Sequence, residues 1–206
     1  MITTLETLKT HSLVAILRGV TPGTVLEVAQ ILLDAGFRVI EVPLNSPQAL
    51  HSIEKLRLAM EGRAMVGAGT VLTAEQVDDC ARAGATLILS PTMNRSVITR
   101  TRERGLFSIP GVATPSEGFD ALDAGAHALK MFPADVLGTA SIKAWRAVFP
   151  PSTAFFSVGG IGAHNLREFR LAGATGVGLG SSLFVPGISL EELGQRASAL
   201  QAAWAA

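Results

Sequence analysis

Eight short apolar runs punctuate this chain, at residues 13–19, 39–44, 65–70, 87–91, 106–111, 128–133, 154–160 and 176–181, with an amphipathic stretch between each pair. Most are hydrophobic throughout rather than alternating, so both faces of the strands they form must be covered. Strands of that kind, separated by helices, build a parallel sheet from βα units. Glycines at positions 36, 84, 105, 125 and 173 each fall just before an apolar run, where a left-handed residue ends a helix. Gly84, Gly105 and Gly125 are spaced by 21 and 20 residues, the length of a compact βα repeat. Eight units without a reversal of order predict a closed (β/α)8 barrel rather than an open doubly wound sheet. With no linker or low-complexity segment in 206 residues, the reading is one barrel domain over residues 1–206.

Helix starts are marked as clearly as helix stops. Thr21-Pro22 and Thr114-Pro115 each set an N-cap before a proline at the first helical position. Thr73 with Gln76, Thr114 with Glu117 and Ser189 with Glu192 have capping-box spacing. Leu50, Ile53, Leu56 and Met60 form one apolar stripe, and Leu190, Leu193, Ala197, Leu200 and Trp204 another. Residues 1–11, with Leu5 and Leu8 on one side, predict a short helix across the barrel bottom.

Charge narrows the partners. With 17 basic and 17 acidic residues, no net charge and no basic block, nucleic acid and anionic membranes are poor partners. No apolar run approaches the roughly 18 residues of a membrane span, and no secretory signal opens the chain. The one cysteine, Cys80, permits no internal disulfide and fits the cytoplasm, and it reads as buried packing. A chain 48% hydrophobic and 17% charged also has surface to bury against copies of itself.

In a barrel of this type, chemistry gathers at the C-terminal ends of the strands. There the sequence places Arg18, Glu41, Thr70, Pro91, Lys130, Gly159-Gly160 and Gly180-Ser181. Alternation through residues 128–133 puts Ala128, Lys130 and Phe132 on one face, with Leu129 and Met131 on the other. An ammonium in an apolar strand is expensive to bury, so such a lysine is either paired or reactive. Glu41 shares a face with Val39 and Pro43 and suits acid–base work, structural pairing with Lys130, or both. The glycine-rich ends of runs seven and eight, with Ser181, suit a phosphate held by backbone N–H groups. His11, His51, His127 and His164 show no ligand spacing and read as surface or capping residues, so no metal or other cofactor is expected.

Five motifs then resemble the class I aldolases that split 2-keto-3-deoxy-6-phospho sugar acids. They are Ala15-Ile16-Leu17-Arg18-Gly19, Ile40-Glu41-Val42-Pro43-Leu44-Asn45-Ser46-Pro47, Gly67-Ala68-Gly69-Thr70-Val71-Leu72, Ala128-Leu129-Lys130-Met131-Phe132-Pro133 and Val158-Gly159-Gly160-Ile161. The resemblance implies a homotrimeric (β/α)8 barrel with Lys130 as Schiff-base lysine and Glu41 as acid–base. It implies Arg18, Thr70, Gly160, Gly180 and Ser181 as substrate contacts; Pro91, Phe132, Val158 and Gly159 complete the expected lining. Thr70 is expected to hydrogen-bond the carboxylate of the pyruvate half, beside Arg18. Asn45 and Val158 stand where the phosphogluconate branch has arginine and threonine, which resembles the phosphogalactonate branch and leaves more of the anion contact to Arg18. The phosphogluconate substrate stays open as the alternative. More distant alternatives are a non-covalent sugar-phosphate isomerase or synthase, and a binding protein without turnover.

Overall fold

The computed structural model describes residues 5–206. In chain order the elements are α1 (Leu5–Thr10), β1 (Leu13–Ile16), α2 (Val25–Asp34), β2 (Val39–Pro43), α3 (Ala49–Ala59), β3 (Met65–Gly69), α4 (Ala74–Arg82), β4 (Leu87–Leu89), α5 (Arg95–Glu103), β5 (Phe107–Ile109), β6 (Gly111–Val112), α6 (Pro115–Asp123), β7 (Leu129–Met131), α7 (Ala134–Arg146), β8 (Phe155–Val158), α8 (Leu166–Leu171), β9 (Gly176–Leu179) and α9 (Leu190–Ala205). Every strand pairing is parallel, in the order β5-β4-β3-β2-β1-β9-β8-β7-β6. All eight expected strand positions form, but the fifth run is divided at Pro110. Its first half pairs with β4 and its second with β7, so the sheet closes into a barrel through the chain itself. Pro110 has no N–H to give a ladder, yet its carbonyl accepts from Lys130 N at 2.9 Å.

Two apolar clusters result. Inside the barrel, Val14, Ile16, Val39, Met65, Leu87 and Phe156 pack together, and Leu8 of α1 closes the bottom fully buried. Burying a side chain of that size contributes roughly 1.5–3 kcal/mol. The expected bottom helix is thus present from Leu5; Met1–Thr4 and the side chain of Leu5 lie outside the described residues. Outward residues such as Ile40, Val66, Leu129, Met131 and Phe155 form the second cluster with the helices. Gly176 and Gly178 belong to the barrel interior: a Cβ on Gly176 would come within 2.5 Å of the Phe156 ring, and one on Gly178 within 2.8 Å of Val158. Large residues on β8 therefore require glycine on β9.

The five stop glycines all take the left-handed conformation, φ 69 to 107°. Capping boxes close at Thr73–Gln76 and Thr114–Glu117. Three expectations are corrected. Helix α2 begins at Val25 after a turn over residues 21–24, because Thr21 accepts from Thr24 N and Val25 N before the helix is established. Ser189 accepts from Glu192 N, but the Glu192 carboxylate turns to Arg196 at 2.6 Å and the box stays half formed. Leu50 and Leu190, in the first turns of α3 and α9, are 37% and 40% exposed, outside the stripes that Ile53, Leu56, Leu193 and Leu200 bury.

Candidate active site

Register sets the height of each inward residue. Ile16 pairs with Glu41, Glu41 with Gly67, and Gly111 with Lys130. Lys130 points inward as its alternation requires, only 5% exposed, with Nζ 5.2 Å from the centroid of the Phe132 ring. Its neighbours Ala128 and Phe132 belong to the interior cluster, whereas Leu129 and Met131 face the helices.

Glu41 is 1% exposed, and its Oε2 has no hydrogen-bond partner among the described residues. Burial pushes the carboxyl above its ordinary range, while the charges of Lys130 and then Arg18 pull it partly back. The carboxylate occupies the space over Gly69, where any Cβ would overlap Oε1. Glycine at position 69 therefore defines where this carboxylate sits. The next residue, Thr70, is held at φ 56°, a left-handed conformation that costs a β-branched residue about 1–3 kcal/mol. Such strain is concentrated at functional sites.

An open pocket of about 410 Å³ lies over the ends of β1, β8 and β9. Arg18, Phe132, Val158, Gly159, Gly160, Gly180 and Ser181 line it, together with Ile16, Ile161, Gly178, His164 and Ser182. The β8 and β9 loops are tied together: Ser182 Oγ donates to Ile161 O at 2.7 Å. Asn165 Nδ2 donates to Gly160 O and Asn165 Oδ1 accepts from Gly162 N, both at 3.0 Å. Gly160 has φ 65°, and a Cβ there would lie 2.5 Å from Cβ of Asp135. Nothing would meet a Cβ on Gly180, which faces open space. This glycine-walled cavity beside a guanidinium suits a phosphorylated anion.

Seven of the expected site residues thus share the pocket, and Lys130 and Glu41 face the barrel interior beneath it. Thr70 and Pro91 are not among its lining residues; Pro91 is half-buried at the end of β4, its carbonyl group against Gly111. Arg18, expected beside Thr70 at the carboxylate end, instead lines the pocket with Gly180 and Ser181, its guanidinium held by Asn45 at 2.7 Å. His164, Ser182 and Asn165 carried no motif of their own. Their signal was position, directly after a strand end that was already expected to carry chemistry.

Other reactive groups lie elsewhere. Burial pushes the Cys80 thiol up to about 12, which makes it inert packing. His127 is half-buried, its pKa lowered to about 4 chiefly by burial, and its Nδ1 accepts from Ser108 N at 3.0 Å. Among the described residues, no group of three His, Cys, Asp or Glu is placed to hold a metal. No described helix is long and apolar enough to cross a membrane.

Known proteins share this fold and much of this sequence. A family model described as KDPG and KHG aldolase matches residues 4–195. The 2-dehydro-3-deoxy-6-phosphogalactonate aldolase of Escherichia coli is 46% identical over 192 residues, 93% of this chain and 94% of that protein. A solved structure described as native KDPGal superposes with a TM-score of 0.92 at 46% identity, covering 94% of each chain. The KDPG aldolase of Legionella pneumophila, solved with pyruvate captured as a covalent carbinolamine intermediate, gives a TM-score of 0.82 at 30% identity. That match covers all of this chain and 98% of the other.

Proposed function

This chain belongs to the KDPG and KHG aldolase family, and from that premise we propose that it cleaves 2-dehydro-3-deoxy-6-phosphogalactonate to pyruvate and glyceraldehyde 3-phosphate through a Schiff base on Lys130. The observation that carries this reading is the buried lysine itself, beside the Phe132 ring on the face it shares with the inward carboxylate of Glu41. Trapping of pyruvate on Lys130 by borohydride tests it.

The chemistry follows from what the bond needs. Breaking C3–C4 of a β-hydroxy ketone leaves an electron pair on C3, and an iminium at C2 accepts that pair far better than a carbonyl. The neutral Lys130 amine adds to C2, water leaves, and the iminium forms. Glu41 takes the C4 hydroxyl proton as the C3–C4 electrons move into the enamine, releasing the aldehyde. Glu41, or a water it holds, returns a proton to C3, and hydrolysis frees pyruvate and the amine. Phe132 keeps water from the amine. The β8 and β9 loops, Ser181 and Arg18 hold the phosphate and fix the distance from that anchor to C2. Thr70 serves the carboxylate of the pyruvate half, and Pro91 closes the same side. No metal or organic cofactor enters these steps.

A pH dependence follows. Glu41 must be ionised to take the C4 proton, and burial raises its carboxyl above the ordinary value of 4.5. The acid limb of kcat/KM should therefore fall above pH 4.5. Arg18→Ala should move that limb further up, because the Arg18 charge favours the carboxylate. A limb at or below 4.5 in a pH–rate profile would contradict the assignment.

Epimer choice rests on Val158, which lines the pocket, and on Asn45, which holds Arg18. A threonine at 158 would present a hydroxyl to the C4 oxygen in one configuration, and such a contact shifts discrimination by roughly 5- to 150-fold. The galacto epimer should be cleaved with the higher kcat/KM, and Val158→Thr should move the ratio toward the gluco epimer. Side-by-side assays check this; preference for the gluco epimer by the unmodified protein would assign it to the phosphogluconate branch instead. We further propose a cytoplasmic homotrimer, which sedimentation equilibrium would report as three copies of a 21.5 kDa chain.

A further inference from the structure

The geometry points to Asn45 as the positioning residue for Arg18, a neutral acceptor that fixes the guanidinium at the pocket wall without neutralising its charge. Arg18 follows β1 with an exposed side chain, and a free arginine there would sample many rotamers. Instead Nη1 donates to Asn45 Oδ1 at 2.7 Å, across 27 residues of sequence. The next residue makes the attachment rigid. Ser46 is buried, its Oγ accepts from Gly19 N at 2.9 Å and donates to Leu17 O at 3.4 Å. The β2–α3 loop thus grips the backbone on both sides of Arg18 and its side chain at once.

The chemistry of the acceptor matters as much as its place. An aspartate would make a stronger, charge-assisted bond but would cancel the cation that the anion must meet. An amide orients the guanidinium and leaves four N–H donors and the full charge for a phosphate. Arg18 shares its pocket with Gly180 and Ser181, so the held cation faces the glycine-walled end. The Arg18 charge also favours the ionised form of Glu41, so its placement reaches the acid–base group too.

This inference rests on the aldolase reading for its kinetic arm only. Wild type, Asn45→Ala, Asn45→Asp, Arg18→Ala and the Arg18→Ala/Asn45→Ala double variant would be compared in two ways. Inorganic phosphate is titrated calorimetrically, which needs no turnover, and KM and kcat are measured for the phosphogalactonate substrate. Asn45→Ala should raise both phosphate Kd and KM about tenfold, with kcat within about twofold. In the Arg18→Ala background the same change should cost less than about twofold, because Asn45 acts through Arg18. Asn45→Asp restores the acceptor but should not restore phosphate affinity. Equal effects in both backgrounds, wild-type affinity in Asn45→Asp, or no phosphate binding by the unmodified protein would each overturn the proposal. If pyruvate and borohydride fail to label Lys130, the aldolase reading falls while the phosphate titration still decides the role of Asn45.

Discussion

Lys130→Ala should lower cleavage by about four orders of magnitude or more, with the fold intact. The expectation follows from losing both the nucleophile and the electron sink, so that the C3 electron pair would have only a ketone to enter. Phosphate binding should persist, since the β8 and β9 loops and Arg18 do not depend on the amine. Stability should fall rather than rise, because the change leaves a cavity in the barrel interior and removes the charge that favours the buried Glu41 carboxylate. Steady-state kinetics and thermal melts of the purified variant check both halves. Activity within tenfold of wild type would remove Lys130 from the mechanism.

The second large effect concerns the placement of Glu41. Glu41→Gln keeps the side-chain shape but cannot accept a proton, and should slow cleavage by about 10²–10⁴-fold. Exchange of the methyl protons of pyruvate should slow with it, since enamine protonation uses the same group. Gly69→Ala should cause a loss of the same order although both catalytic side chains remain. Its methyl would occupy the space of the Glu41 carboxylate and turn it away from the substrate. Iminium formation with pyruvate should survive in Gly69→Ala, which separates misplacement of the base from loss of the pocket. Wild-type kcat in Gly69→Ala would show that the position over Gly69 is not the working one.

Sequence legibility followed the range of the interactions involved. The barrel and the inward face of Lys130 and Phe132 were readable because period-two alternation and glycine stops are local. The division of the fifth strand was less so, although Ile109-Pro110-Gly111 carries the signal: a proline without an N–H, followed by a glycine lying against the carbonyl of Pro91. Gly176 and Gly178 looked like phosphate-loop glycines alongside Gly180. Their demand for space comes from Phe156 and Val158 on the neighbouring strand, which only the register discloses. The grip of Asn45 on Arg18 is a contact through space, and no spacing rule links positions 27 residues apart in different units. His164 read as a surface residue and is exposed; that it also borders the pocket depends on the path of the loop after β8.

The most direct test of the account is borohydride reduction in the presence of pyruvate, followed by peptide mass mapping. One pyruvate-derived adduct is expected, on the peptide carrying Lys130 and blocked in Lys130→Ala, with none on Lys9, Lys55 or Lys143. An adduct on one of those other lysines, or no adduct at all, would contradict it.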